Sequence, residues 1–336
     1  MMNEPRPWTD WLKLFLGLLI SAAAVVLVLH LVDPAAVAAA VRTVDFFRLA
    51  PILILVVISY AARAASWWTL LPEGIGYART FLIMNAGYLI NTVFPFRMGE
   101  LGRAGLLSSS ENSFWEILPT IMLERFFDLV FALVLFLGAL PFVLGFEYST
   151  GFVIFLAVLI AGAFLFLAAL RRRQEQIMNW FRSERGPEKV KGYLADKVAA
   201  FLSGLEVLSE PTRFARAGGY MALSWGLALT YQFWLMDAVI GKARPLWVVF
   251  SLGAVALGAA VPSSPGNLGV YEASLLGALL VFRIDRSLAL TYAVLSHGLN
   301  IGVTLVFGSL AFLREGFRVR SLWEVRKNQV QSRKEG

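Results

Sequence analysis

Predominantly apolar runs about as long as a bilayer's hydrocarbon core is thick recur along this chain. Roughly 20 helical residues, each rising about 1.5 Å, cross that core. Runs of this kind lie at 12–32, 49–71, 114–140, 152–170, 218–240 and 287–313. The whole sequence is 58% hydrophobic and only 16% charged, whereas a soluble domain carries about 25% charged residues. The fold class is therefore an all-α polytopic membrane protein, with about six full transmembrane helices.

The same composition removes several function classes. There is no cysteine, so disulfides, thiolate metal sites and cysteine nucleophiles are excluded. Two histidines, His30 and His297, exclude a histidine-rich metal site, and no cofactor or metal is expected. There is no His-Glu-x-x-His, no Gly-x-Ser-x-Gly and no P-loop, so the expectation is a protein that is not an enzyme. The net charge of +7 comes from loops and a tail beside apolar spans. That placement suits anionic inner-leaflet lipids, not nucleic acid.

Residues 1–11 read as a cytoplasmic N-terminal segment, 12–313 as the transmembrane domain and 314–336 as a basic cytoplasmic tail with seven Lys/Arg. The first run is too long for a signal-peptide core and lacks a small-residue cleavage site, so it is expected to stay as an anchor. The loop 171–216 carries ten Lys/Arg against six Asp/Glu, and 141–151 carries no Lys or Arg. The basic loop and tail go inside, which puts both termini in the cytoplasm of a multi-pass protein of the plasma (inner) membrane. Within the basic loop Val190, Leu194, Val198, Phe201, Leu202, Leu205 and Leu208 recur at helical spacing. They describe an amphipathic helix, lying along the interface or serving as a solvated connector.

Two stretches break this pattern. The apolar run 80–94 is too short to cross comfortably and ends at Pro95, followed by Arg97, Gly99, Glu100 and Arg103 and a short helical piece over 99–107. Downstream, 246–261 and 268–282 are separated by Pro262, Ser263, Ser264, Pro265, Gly266 and Asn267, with Gly269, Tyr271 and Glu272 just beyond. Broken segments in corresponding positions of two halves point to a membrane binding site. Loop parity makes them two interrupted, re-entrant hairpins in an inverted repeat, and two short full crossings per hairpin satisfy the same parity. A charge at mid-bilayer costs roughly 2.5–3.5 kcal/mol on insertion scales, so these charges belong inside protein. Each break creates a half-helix N-terminus, near Gly99 and near Asn267, suited to a phosphate or carboxylate. Arg97 and Arg103 add full charges that pair with phosphate. Ser263, Ser264 and Asn267 add polar groups. Glu100 and Glu272 bind a cationic headgroup, carry protons or neutralise the arginines.

Other polar residues have blander readings. Glu124, Arg125 and Asp128 occupy one helical turn and read first as structural partners of Arg97, Arg103 or Glu100. His297 and Asn300 share a helix face and read as interhelical hydrogen-bonding residues, with a proton relay as the alternative. Arg63 and Asp237, near span ends, read as snorkelling or capping residues. Ser113 with Glu116 matches a capping box opening the span at 114. Gly253 with Gly258, and Gly298 with Gly302, read as close helix contacts.

Asn91, Pro95, Arg97, Gly99, Glu100 and Arg103, then Glu124, Arg125 and Asp128, then the stretch from Pro262 to Glu272, together resemble the lysylphosphatidylglycerol synthase transmembrane-region family. The resemblance covers about residues 12–313. It implies an integral membrane protein that moves or binds a phospholipid or lipid-linked substrate with a charged headgroup. By that resemblance the polar residues of the three motifs, Asn91 and Tyr271 included, line a headgroup cavity. The aminoacyl-transferase domain of the family's bifunctional members has no counterpart in this sequence, so synthase activity is not expected. A flippase-like lipid translocase is the leading expectation. A proton-coupled transporter of a small polar solute, working through Glu100, Glu272 or His297, is the rival. A non-transporting subunit that docks a partner through 171–216 and the tail is the third reading, and a homo-oligomer is left open.

Overall fold

The computed structural model describes residues 46–94, 97–109, 112–145, 150–173, 176, 188–260 and 265–335. The expected segment 1–11, the expected span 12–32, and Pro95, Pro262, Ser263 and Ser264 lie outside the described residues. Within them the chain forms helices and no strand: α1 Phe46–Leu70, α2 Tyr77–Val93, α3 Met98–Leu107, α4 Phe114–Leu144, α5 Thr150–Arg172, α6 Glu188–Ser203, α7 Pro211–Ile240, α8 Pro245–Ala260, α9 Val270–Leu280 and α10 Arg286–Glu335. The basic tail thus continues α10 as helix.

Local sequence sets these boundaries. Ser113 and Glu116 form the expected capping box, with the Glu116 amide donating to Ser113 Oγ at 3.2 Å and the Ser113 amide to Glu116 Oε2 at 3.4 Å. Pro211 and Pro245 open α7 and α8, where a missing N–H costs nothing. Gly145 and Gly241 close α4 and α7 in the left-handed conformation, at φ 70° and 76°.

Among the described residues three helical stretches are long and apolar enough to cross a membrane: Leu49–Leu70, Phe114–Leu144 and Arg286–Glu315. A fourth arises only if α7 and α8, bent by 113°, count as one span. The six expected runs include 12–32, which lies outside the described residues. The expected span at 218–240 corresponds to α7, whose inner face carries Ser224, Tyr231 and Gln232 and lowers its apolarity. The expected span at 152–170 corresponds to α5, an apolar helix of 23 residues.

The packing follows a simple plan. α1 lies on α7, α2 on α10, and α8 on α4, while α2 with α3 and α8 with α9 form hairpins. In the first hairpin Arg79 meets the Leu106 carbonyl and Asn91 meets Gly99, so α3 runs back along α2. In the second, Gly258 meets Ser274 and Phe250 meets Phe282, so α9 runs back along α8. α3 has 10 residues and α9 has 11. At about 1.5 Å per residue each is about half as long as a bilayer core is thick. The amphipathic segment packs on protein: Leu202, Leu205 and Val207 are buried with Leu123 and Phe127 of α4 and Trp225 of α7.

Glycines allow the hairpins to close. A Cβ on Gly99 would sit 1.9 Å from the Gly87 carbonyl oxygen. Gly253 lies against the backbone of Phe136, and Gly258 against Ser274, as expected of that pair. Gly298 and Gly302 make no such approach, since a Cβ on either meets nothing within 4 Å. On α10 the close contact is Gly308, against Asn85 and Leu89 of α2. Gly99→Ala is therefore expected to lower stability by roughly 1–3 kcal/mol, the usual cost of overpacking. Gly105→Ala, where a Cβ meets nothing within 4 Å, is expected to leave it unchanged or slightly raised. Thermal unfolding in detergent distinguishes the two.

Candidate functional site

The two helix breaks meet inside the bundle. Gly266 lies beside Thr92, and a guanidinium nitrogen of Arg97 donates to the carbonyl of Ala259 at the end of α8. Both breaks need left-handed backbone: Gly266 at φ 65° and Asn267 at φ 54° in one, Arg97 at φ 53° in the other. Glycine and asparagine tolerate this conformation, but a left-handed arginine costs roughly 1–2 kcal/mol.

A cavity of about 300 Å³ opens where the breaks meet. From the first break and α2 it is lined by Arg97, Glu100, Asn91 and Tyr88; from the second, by Asn267 and Tyr271. The long helices contribute Tyr60 and Arg63 (α1), Arg125 (α4), Trp225, Tyr231 and Gln232 (α7), and His297 and Asn300 (α10). The cavity is partly open, not fully enclosed. Val93, Phe94, Met98 and Leu268, beside the breaks, are about half exposed.

Each half-helix start is held by a side chain. The Gly99 amide donates to Asn91 Oδ1 at 2.7 Å, and the Gly269 amide donates to Glu272 Oε2 at 2.7 Å. These two amides, expected to face a phosphate, are therefore already partnered. The other oxygen of Glu272 lies 2.6 Å from His297 Nδ1, and the His297 ring stacks on Tyr271 with centroids 4.2 Å apart. Asn300 bonds to other helices, accepting from Tyr60 at 3.1 Å and Tyr231 at 3.4 Å.

The ionic partners are resolved pair by pair. Arg125 Nε lies 3.2 Å from Glu100, at ion-pair distance without hydrogen-bond alignment, and Arg125 Nη1 donates to Asp128 at 3.0 Å. Asp128 also accepts from Arg63 at 2.5 and 2.6 Å and from Trp225 at 3.3 Å. Arg63, read from sequence as a snorkelling residue, is thus corrected to a cavity residue, because Asp128 holds it inside. Asp237 does cap, accepting from the Ala243 amide at 3.1 Å.

Arg103 departs from its expected place beside Arg97. It pairs with Glu124, the two being 1% and 0% exposed, and its guanidinium lies 3.8 Å over the Trp67 ring. It belongs to the packing of α3 against α1 and α4, away from the cavity lining.

Sequence reasoning passed over Tyr60, Tyr88, Trp225, Tyr231 and Gln232, which read as ordinary residues of apolar spans. The signal available for α1 was Ser59, Tyr60 and Arg63, spaced to share one helix face within an otherwise apolar run.

Comparison with known proteins agrees with the motifs. The model of the lysylphosphatidylglycerol synthase TM region matches residues 14–308. The chain belongs to that family. This member is an integral membrane protein, similar to the UPF0104 membrane protein MJ1078 of Methanocaldococcus jannaschii, with 26% identity over 66% of this chain and 92% of that protein. It is also similar to the glycosyltransferase AglD of Haloferax volcanii, with 24% identity over 87% of this chain. The match spans about half of AglD, 53% of its length. No solved structure matches this family member.

The buried pair gives a direct prediction. Glu124→Ala leaves Arg103 charged and unpartnered, at a cost of roughly 3–5 kcal/mol. Replacing Arg103 and Glu124 together with leucine is expected to recover most of that loss, as read by unfolding temperature in detergent.

Proposed function

We propose that the protein is a lipid translocase of flippase type that takes a charged headgroup into the cavity between the two helix breaks while the acyl chains stay outside. One observation carries this reading: the polar cavity is not fully enclosed, and apolar residues adjoining both breaks, Phe94 of its lining among them, are half exposed. A solute carrier needs an enclosed site, whereas a lipid needs a polar pocket continuous with an apolar surface. Arg97 is the phosphate ligand, and the translocase is not itself an enzyme. AglD's name as a glycosyltransferase belongs to a protein nearly twice as long as the matched region, and that activity is not extended here.

The two halves form an inverted repeat, α1 to α4 against α7 to α10. Counted from helix starts, Ser59 and Ser224 hold the same position, and each hydroxyl donates to the other's carbonyl at 3.0 Å. The contact of Trp225 with Asp128 matches that of Tyr60 with Asn300, and Trp67 with Thr120 matches Gln232 with Tyr292. Glu100 with Arg125 likewise matches Glu272 with His297. Reciprocal contacts of this kind support a two-fold relation, the usual plan of alternating-access transporters. The hairpins are re-entrant, the first from the cytoplasm and the second from outside, in a plasma-membrane protein with both termini cytoplasmic.

The rival, proton-coupled uptake of a small solute, draws on the adjoining Glu272 and His297. Liposome reconstitution separates the two. A fluorescent phospholipid is expected to cross the bilayer faster with the protein than without it. Ala256→Phe, which fills the cavity, is expected to slow this at least about tenfold in folded protein. Movement unaffected by Ala256→Phe sinks the reading.

Topology is tested in this cysteine-free chain. Cysteines at positions 76 and 109 are expected to label from the same face, and those at 242 and 285 from the opposite one. If 76 and 109 label from opposite faces, the first hairpin crosses the membrane completely.

A further inference from the structure

The cavity's charges limit which headgroups it can accept, an inference that rests on the translocase reading above. Three arginines line it: Arg63, Arg97 and Arg125. Asp128 serves Arg63 and Arg125, and Glu100 serves Arg125. Glu272 is engaged by His297 and by the Gly269 amide. Among the described residues Arg97 has no carboxylate at ion-pair distance, and its recorded partner is the Ala259 carbonyl. Among the described residues the cavity therefore holds one arginine without a counter-ion, while each carboxylate beside it has an ionic or hydrogen-bonding partner.

An ammonium entering this space would find each carboxylate engaged and Arg63 and Arg125 close by. Its desolvation would go uncompensated. Aromatic rings attract cations, but the Tyr88 ring already has Arg125 at 5.8 Å. A phosphodiester carries one negative charge, and guanidinium meets two of its oxygens at once. Beyond Arg97 the lining carries uncharged polar groups, the Tyr231 hydroxyl and the Asn91, Gln232 and Asn300 amides, each bonded to a neighbour yet each with a second amide hydrogen or an oxygen lone pair to spare. Such groups suit hydroxyls. About 300 Å³ lies at the small end of ligand pockets, enough for a glycerol or a single sugar and too little for an oligosaccharide.

We propose that the cavity selects a phosphate ester borne on an uncharged, hydroxyl-rich group, such as phosphoglycerol or phosphosugar, presented by a lipid, and that it discriminates against headgroups ending in an ammonium. The test uses the full chain in liposomes with three fluorescent lipids: phosphatidylglycerol, phosphatidylethanolamine and a neutral monoglucosyl diacylglycerol. Phosphatidylglycerol is expected to move about tenfold faster than either of the others, the scale of one charge-assisted contact. Arg97→Ala removes the preference, and Arg97→Lys, which keeps the charge, retains part of it and controls for folding. Phosphatidylethanolamine moving as fast as phosphatidylglycerol overturns the charge argument. The neutral glycolipid doing so overturns the phosphate contact. Soluble glycerol 1-phosphate is expected not to slow phosphatidylglycerol. If it competes as well as the lipid, the site serves free phosphate esters and the lipid assignment falls. Movement of all three lipids without preference overturns this inference alone, whereas movement of none overturns the translocase reading with it.

Discussion

Backbone that leaves the helical path inside an apolar bundle must find hydrogen-bond partners there, because lipid offers none. The rest of this structure follows from how two such breaks are satisfied. Asn91 holds the start of α3 through the Gly99 amide, and Glu272 holds the start of α9 through the Gly269 amide. Arg97 reaches across to the open end of α8 at Ala259. These contacts tie the breaks to one another as well as to their own hairpins. Because Gly87 and Gly99 let α2 and α3 touch through backbone, the short α3 can turn back at this depth.

Charges then organise around the breaks in two layers. Arg103 and Glu124 are buried as a pair, with Trp67 against the guanidinium, and join α3 to α1 and α4. Nearer the cavity, Asp128 and Glu100 hold Arg63 and Arg125. Counted from their first residues, α4 and α10 differ at matching positions: Arg125 and Asp128 in the one, His297 and Asn300 in the other. One side of the cavity is thus built from permanent charge, and the other from a histidine and an amide. Among the described residues Arg97 is the cavity arginine without a carboxylate at ion-pair distance.

Much of this was legible in the sequence. Apolar run lengths gave the helical class and most helix positions, and Ser113 with Glu116 marked the start of α4 to the residue. Pro95, Gly99 and the 262–269 stretch marked the two breaks, because proline, glycine and charge are costly inside a span. The failures have one cause: a pattern along one helix does not say which helix faces it. Arg103 and Arg97 looked equivalent, yet helix rotation sends one into the core and the other into the cavity. Arg63 looked peripheral until Asp128 was placed opposite it. The tyrosines and Trp225 carried no signal, since an aromatic residue in an apolar run is ordinary. The polar inner face of α7, which meets α1 and α10, was equally hidden within an apolar run.

The central claim is that Arg97 holds a lipid phosphate in the cavity between the breaks. Native mass spectrometry of the gently purified protein, wild type beside Arg97→Ala, tests it most directly. A discrete phospholipid or lipid-linked species retained by the wild type and lost from a folded Arg97→Ala variant is the result predicted. The same bulk lipid on both proteins would contradict the claim.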